Sequence, residues 1–121
     1  MDDEQREKQN KASVLTDMSL LNLAKALKDG DFRIYLYLGL PLTRLIYFYE
    51  LTREMNQKEN AFKQRCLMEW KELRTPSKDS SKVKDLEYAL RASEHGELAD
   101  IFVERHRLKL ELTKDLFVTT N

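Results

Sequence analysis

Residues 31–42 read DFRIYLYLGLPL, and the way this stretch folds decides the class of the whole chain. Two periods fit it. Ile34, Leu36, Leu38 and Leu40 recur at every second residue, as on a half-buried strand, while Phe32, Tyr35, Leu36 and Leu38 supply the apolar side of a short helix. A strand needs a neighbour, and no second stretch of the chain alternates strongly enough to provide one; an isolated strand does not hold in water. The stretch is therefore read as a short helix, with Asp31 as its cap and Gly39 as its stop. Pro41 then suits the first turn of the next helix, where its missing amide proton costs little.

Helical periods continue outward in both directions. Toward the N-terminus, TDMSLLNLAKALKDG (16–30) places Leu20, Leu23, Ala24 and Leu27 on one face, with Thr16 or Asp17 able to cap and Gly30 able to stop the helix. Toward the C-terminus, LTRLIYFYELTREM (42–55) gives a third helix with a stripe of Leu42, Leu45, Ile46 and Tyr49. AFKQRCLMEWKEL (61–73) lines up Phe62, Cys66, Leu67, Trp70 and Leu73. RTPSKDSS (74–81) is the plainest break in the chain. A fifth helix carries Val83, Leu86, Ala89 and Leu90 and is expected to end at His95 and Gly96. A sixth uses Leu98, Ile101, Phe102, Leu108 and Leu112, with Arg105's stem beside them. The domain is expected over residues 14–112, with a flexible polar lead at 1–13 and a tail at 113–121 that extends the last helix or folds back through Leu116, Phe117 and Val118. The fold class is all-α, a six-helix antiparallel bundle with short links.

Composition agrees with a single domain. The chain has 121 residues, 41% hydrophobic and 35% charged, with three Gly and two Pro to interrupt helices. Lys plus Arg and Asp plus Glu number 21 each, so the basic excess of a phosphate-binding protein is missing. One cysteine, Cys66, precludes an internal disulfide and fits a reducing compartment. No run of about 18 apolar residues occurs, and the opening MDDEQREKQNKAS lacks the apolar core of a secretory signal. A cytoplasmic location is expected.

Four segments, in order, resemble the death domain across Leu15 to Leu108. LTDMSLLNLAKALKDGDF looks like the first helix running into the second. LYLGLPLTRLIYFYE resembles the Leu-Gly-Leu turn between the second and third. CLMEWKE is similar to the Trp-bearing fourth helix, and LEYALRASEHGELADI to the Leu-x-x-Ala-Leu fifth helix followed by a Leu-Ala sixth. Phe32 stands where the family's second helix usually has Trp, and the interval to Leu38 is one residue shorter. The caspase-recruitment and death-effector folds share the six-helix plan, but the Arg-x-Asp-Leu element of the death-effector type is missing from the last helix. The resemblance implies an adaptor-type module. It would bind other death-domain proteins, or copies of itself, through asymmetric contacts in apoptotic or innate-immune signalling.

The residues themselves offer little for catalysis. His95 and His106 are expected at the surface, and Cys66, on the apolar stripe with Leu67 and Trp70, is expected to be buried and inert. Gly30, Gly39 and Gly96 are isolated, so no glycine-rich phosphate loop exists; Glu50 and Glu54 read as solvated surface. No enzyme activity, cofactor, metal, small-molecule substrate or membrane insertion is expected. The competing reading, a small helical nucleic-acid-binding domain, is disfavoured by the neutral charge and the lack of a basic recognition helix.

Charge patches remain. Lys71, Arg74 and Lys78 form a basic corner around the fourth helix's end, opposed only by Glu72, and Glu94, Glu97 and Asp100 form an acidic one at the fifth–sixth junction. Asp31, Arg33 and Arg44 complete the expected interaction residues. A contact between unlike corners of two molecules is head-to-tail and builds open assemblies. Two further readings rank behind the ordinary ones of core aromatic and plain loop: Tyr37 or Phe48 exposed as a sticky patch, and phosphate on the loop from Thr75 through Ser81, which would weaken the basic corner.

Overall fold

A computed structural model describes residues 13–117. Of the expected polar lead only Ser13 falls within this range, and Val118 of the tail lies outside it. Among the described residues there are six α-helices and no strand: α1 (Asp17–Ala26), α2 (Arg33–Tyr37), α3 (Leu42–Glu54), α4 (Glu59–Leu73), α5 (Asp79–Ala92) and α6 (Gly96–Arg107). A 3₁₀ turn, Lys114–Phe117, follows. The class is all-α, and the stretch Ile34 to Leu40 is helix and turn, not sheet.

Helix α1 packs on α4, α3 on α4, α2 on α5, α5 on α6, and the 3₁₀ turn on α1. Polar ties fix directions. Asp17 pairs with Lys71 at one end of α1, and Leu27 meets Lys63 just past the other, so α1 and α4 run antiparallel. Arg44 meets Glu69 and Thr52 meets Arg65, so α3 and α4 do too. Between them lies one apolar core. Leu20, Leu23, Ala24 and Leu27 are all buried as expected, as are Val83, Leu86, Ala89 and Leu90 of α5. Trp70, the largest fully buried side chain, stands with Phe62, Cys66 and Leu67 on α4.

Several expectations are corrected. In α3 the buried stripe is Leu45, Phe48 and Thr52; Leu42 and Ile46 are 54% and 49% exposed, and Tyr49 is also exposed. Both stripes are apolar enough to bury, and the partner helix decides between them: Arg65 of α4 donates to Thr52 Oγ1 at 2.8 Å, and Arg44 bonds Glu69 at 2.9 Å while lying over Phe48. Leu36 of α2 is exposed because each helical residue turns about 100°, so facing Ile34 and Tyr35 inward turns Leu36 out. Leu73, the last residue of α4, and Leu108, the C-cap of α6, are exposed. Pro41 is the N-cap of α3 and precedes its first turn.

Helix ends also fall elsewhere than glycine suggested. Helix α1 stops at Ala26, before Gly30. The buried ammonium of Lys63 holds the turn, donating to the Leu27 carbonyl at 2.7 Å and pairing with Asp29 at 2.8 Å, while the Gly30 amide donates to the Glu59 carboxylate. Helix α5 ends on Ser93; Glu94 takes the left-handed position (φ 67°), the Glu94 amide reaches Arg91 O and the His95 amide reaches Leu90 O. Gly96 begins α6 and does not end α5.

After α6 the chain reverses at Lys109 (φ 58°) and folds back. Buried Ser19 and Asn22, one helical turn apart on α1, embrace the Leu112 peptide: its N–H donates to Ser19 Oγ at 2.8 Å, and Asn22 Nδ2 donates to its carbonyl at 3.0 Å. Leu112 is fully buried, and Leu116 and Phe117 pack against the core.

Candidate protein-interaction surfaces

The turn between α5 and α6 meets the start of α2 and gathers three of the expected interaction residues. The Arg33 guanidinium forms two bonds to the Asp31 carboxylate, 3.0 and 2.9 Å, and a third to the Ser93 carbonyl at 3.1 Å. Glu94 lies 3.6 Å from it on the open side. Two parallel bonds to one carboxylate fix the plane of the guanidinium, which an isolated surface pair does not do. The Arg33 guanidinium beside Asp31 holds that carboxyl below its ordinary range and raises Arg33 in turn.

His95 forms the floor of this cluster and is 6% exposed, where the sequence reading expected a surface histidine. Ser93 Oγ donates to the Ala89 carbonyl at 2.7 Å, so the 2.9 Å contact from His95 Nδ1 to the same oxygen is a donation from the ring. Nε2 is then unprotonated and accepts the Lys28 amide at 3.5 Å. Burial pushes the imidazole below its ordinary value, partly opposed by Asp31. No signal in the sequence marks this burial: glutamate has no preference for the left-handed region. A left-handed residue at Glu94 turns the next side chain back beneath the helix.

The rest of the acidic group lies along α6. Asp100 is exposed and pairs with Arg91 of α5 at 2.9 Å. Glu97 is exposed in the first turn of α6 and, among the described residues, has no cation within 4.0 Å. A cleft of about 590 Å³ opens beside them, lined by Lys25, Lys28, His95, Leu98, Ile101 and Phe117 among others.

The basic group sits at the α4–α5 connection. Lys71 bonds Asp17 at 2.7 Å and Arg74 bonds Asp85 at 2.5 Å. Lys78 is the exposed N-cap of α5 and meets no carboxylate among the described residues. Arg44 belongs to neither corner: it lies on the α3–α4 face, over the rings of Tyr47 (5.2 Å) and Phe48 (4.8 Å). The structure thus unites Asp31, Arg33 and Glu94, keeps Lys71, Arg74 and Lys78 near one end of α4, and leaves Arg44 apart.

Apolar side chains also reach water. Tyr37 is exposed, as one of the two alternatives expected, and its ring meets exposed Tyr88 edge-on at 5.9 Å; Phe48, the other alternative, is buried. Cys66 is fully buried, and burial pushes its thiol up to about 12, well above the range of reactive thiolates. Among the described residues no three His, Cys, Asp or Glu side chains are placed to hold a metal ion, and no helix is long and apolar enough to cross a membrane. No protein-family model, curated protein or solved structure matches the chain.

Proposed function

We propose that the chain is a non-enzymatic interaction module of the death-domain type. It binds other such domains, or further copies of itself, head-to-tail in cytoplasmic apoptotic or innate-immune signalling. The observation that carries this reading is the placement of unlike charge at the two ends of one helix. Lys71, Arg74 and Lys78 cluster where α5 begins; Glu94 follows its C-terminus, with Glu97 and Asp100 on the adjoining start of α6. Fourteen residues of helix separate the corners by about 20 Å, so they cannot neutralise one another within a molecule. Between molecules they can, and because the two surfaces differ, the contact is head-to-tail and repeats from one molecule to the next.

The order of the sequence segments that resemble the family supports the same reading. The intramolecular pairs at both corners do not oppose it. They are exposed on at least one side, and such pairs contribute about 0–1 kcal/mol each, so they exchange readily for partners across an interface.

The test is charge complementation. Sedimentation of the unaltered chain at low salt should show oligomers that dissociate as ionic strength rises. A variant with Lys71→Glu, Arg74→Glu and Lys78→Glu should stay monomeric, and so should one with Glu94→Lys, Glu97→Lys and Asp100→Lys. Mixed, the two present unlike corners to each other at both ends, so assembly at low salt should return. Assembly indifferent to salt and to both variants rules out the charge-corner mechanism.

A further inference from the structure

The α4–α5 loop contains the one place in the sequence where a hydroxyl residue precedes proline, Thr75-Pro76. Both residues are exposed. Thr75 stands immediately beyond Arg74, the C-cap of α4, and its hydroxyl donates to the Glu72 carbonyl at 2.8 Å. Proline disfavours helical backbone in the residue before it, which keeps Thr75 out of the helix. The other hydroxyls differ. Ser77 is partly buried with its amide bonded to the Arg74 carbonyl, Ser80 and Ser81 belong to the first turn of α5, and none of the three precedes proline.

We propose that Thr75 is the acceptor site of a proline-directed protein kinase, and that a phosphate there cancels the positive character of the corner made by Lys71, Arg74 and Lys78. The modification stands on its own geometry; only its effect on assembly rests on the function proposed above. In the transfer the Thr75 oxygen bonds to the γ-phosphorus of ATP. The bond from that phosphorus to the β–γ bridging oxygen breaks, ADP leaves with the electron pair, and the hydroxyl proton passes to the kinase's base.

The product has three consequences. The phosphate brings a charge of about −1.5 to −2 at pH 7. The proton donated to Glu72 O is gone, and the new charge faces the negative end of the α4 dipole. What offsets these is close: Lys71 is one helical turn behind, Arg74 is adjacent and Lys78 is three residues ahead. Competition with Asp17 for Lys71 and with Asp85 for Arg74 draws the cations onto the phosphate, away from a partner.

The experiment uses the folded chain, ATP with magnesium and a purified proline-directed kinase, read by intact mass and fragment mapping. One phosphate, on Thr75, is expected; Thr75→Ser should retain it, and Pro76→Ala, checked by circular dichroism to be folded, should lose it. Assembly of the phosphorylated chain at low salt should weaken about tenfold, the loss of two or so exposed charge pairs. Phosphate on Ser77, Ser80 or Ser81, undiminished transfer to Pro76→Ala, or no transfer to the folded chain overturns the site. Phosphorylation at Thr75 with undiminished assembly overturns its effect on the corner. A chain that never assembles sinks the functional reading, and the mass measurement still decides the modification.

Discussion

Glu94 and Lys109 occupy left-handed backbone positions, φ 67° and 58°, where an L side chain crowds the carbonyl that follows. Glycine relieves that crowding at the expense of a freer unfolded chain, so Lys109→Gly should raise stability by about 0.5–1 kcal/mol in urea titration. Glu94→Gly should gain less, because it also gives up the 3.6 Å contact with Arg33. His95 sets the pH response of the same turn. Lys28, Asp31, Arg33 and Glu94 surround it, and its folded value lies below that of the free imidazole, so the unfolded chain binds the proton more readily. Its contribution is complete above the unfolded value of about 6.5 and is lost progressively as pH falls below it. The urea midpoint should therefore decline below about pH 6.5, and His95→Gln should flatten that decline; an unchanged slope in the variant assigns it to other groups. Neither residue could be placed from sequence. Glycine marked the stop after α2 correctly, at Gly39 (φ 90°), but at Glu94 and Lys109 the following buried or bonded segment imposes the turn, against local preference.

Among the elements, α1 and α5 were legible because each carries a single apolar stripe opposite charge. Helix α3 was not, since Leu42, Ile46 and Tyr49 compete with Leu45 and Phe48 and the choice is made by Arg65 and Glu69 on a neighbour. The α1–α2 turn was hidden for a related reason. Its fastening is a buried lysine on α4, a residue type read as surface by default. Lys63→Met keeps the side chain's bulk but removes the donor from the Leu27 carbonyl, and should lower stability by about 1–3 kcal/mol. Amide exchange should rise in residues 27–31 more than in α5; uniform acceleration instead shows that Lys63 acts on the whole fold.

In the molecule as a whole, Trp70 belongs to one buried apolar core to which every described helix contributes. Being the only Trp, it reports on that shared core, and its fluorescence should change at the same denaturant concentration as the far-ultraviolet helical signal. Two separated midpoints are incompatible with one cooperative core. The interaction residues were legible in type and grouping, since charge clusters need no tertiary knowledge. Their tertiary partners were not: Arg33 reaching the Ser93 carbonyl depends on a contact spanning 60 positions of sequence. A longer span has a consequence for biosynthesis. The notch that Ser19 and Asn22 form on α1 is filled by the peptide group of Leu112. A nascent chain stays unsealed until position 112 has cleared the ribosome, and a fragment ending earlier leaves two polar groups of α1 awaiting a clasp that never arrives.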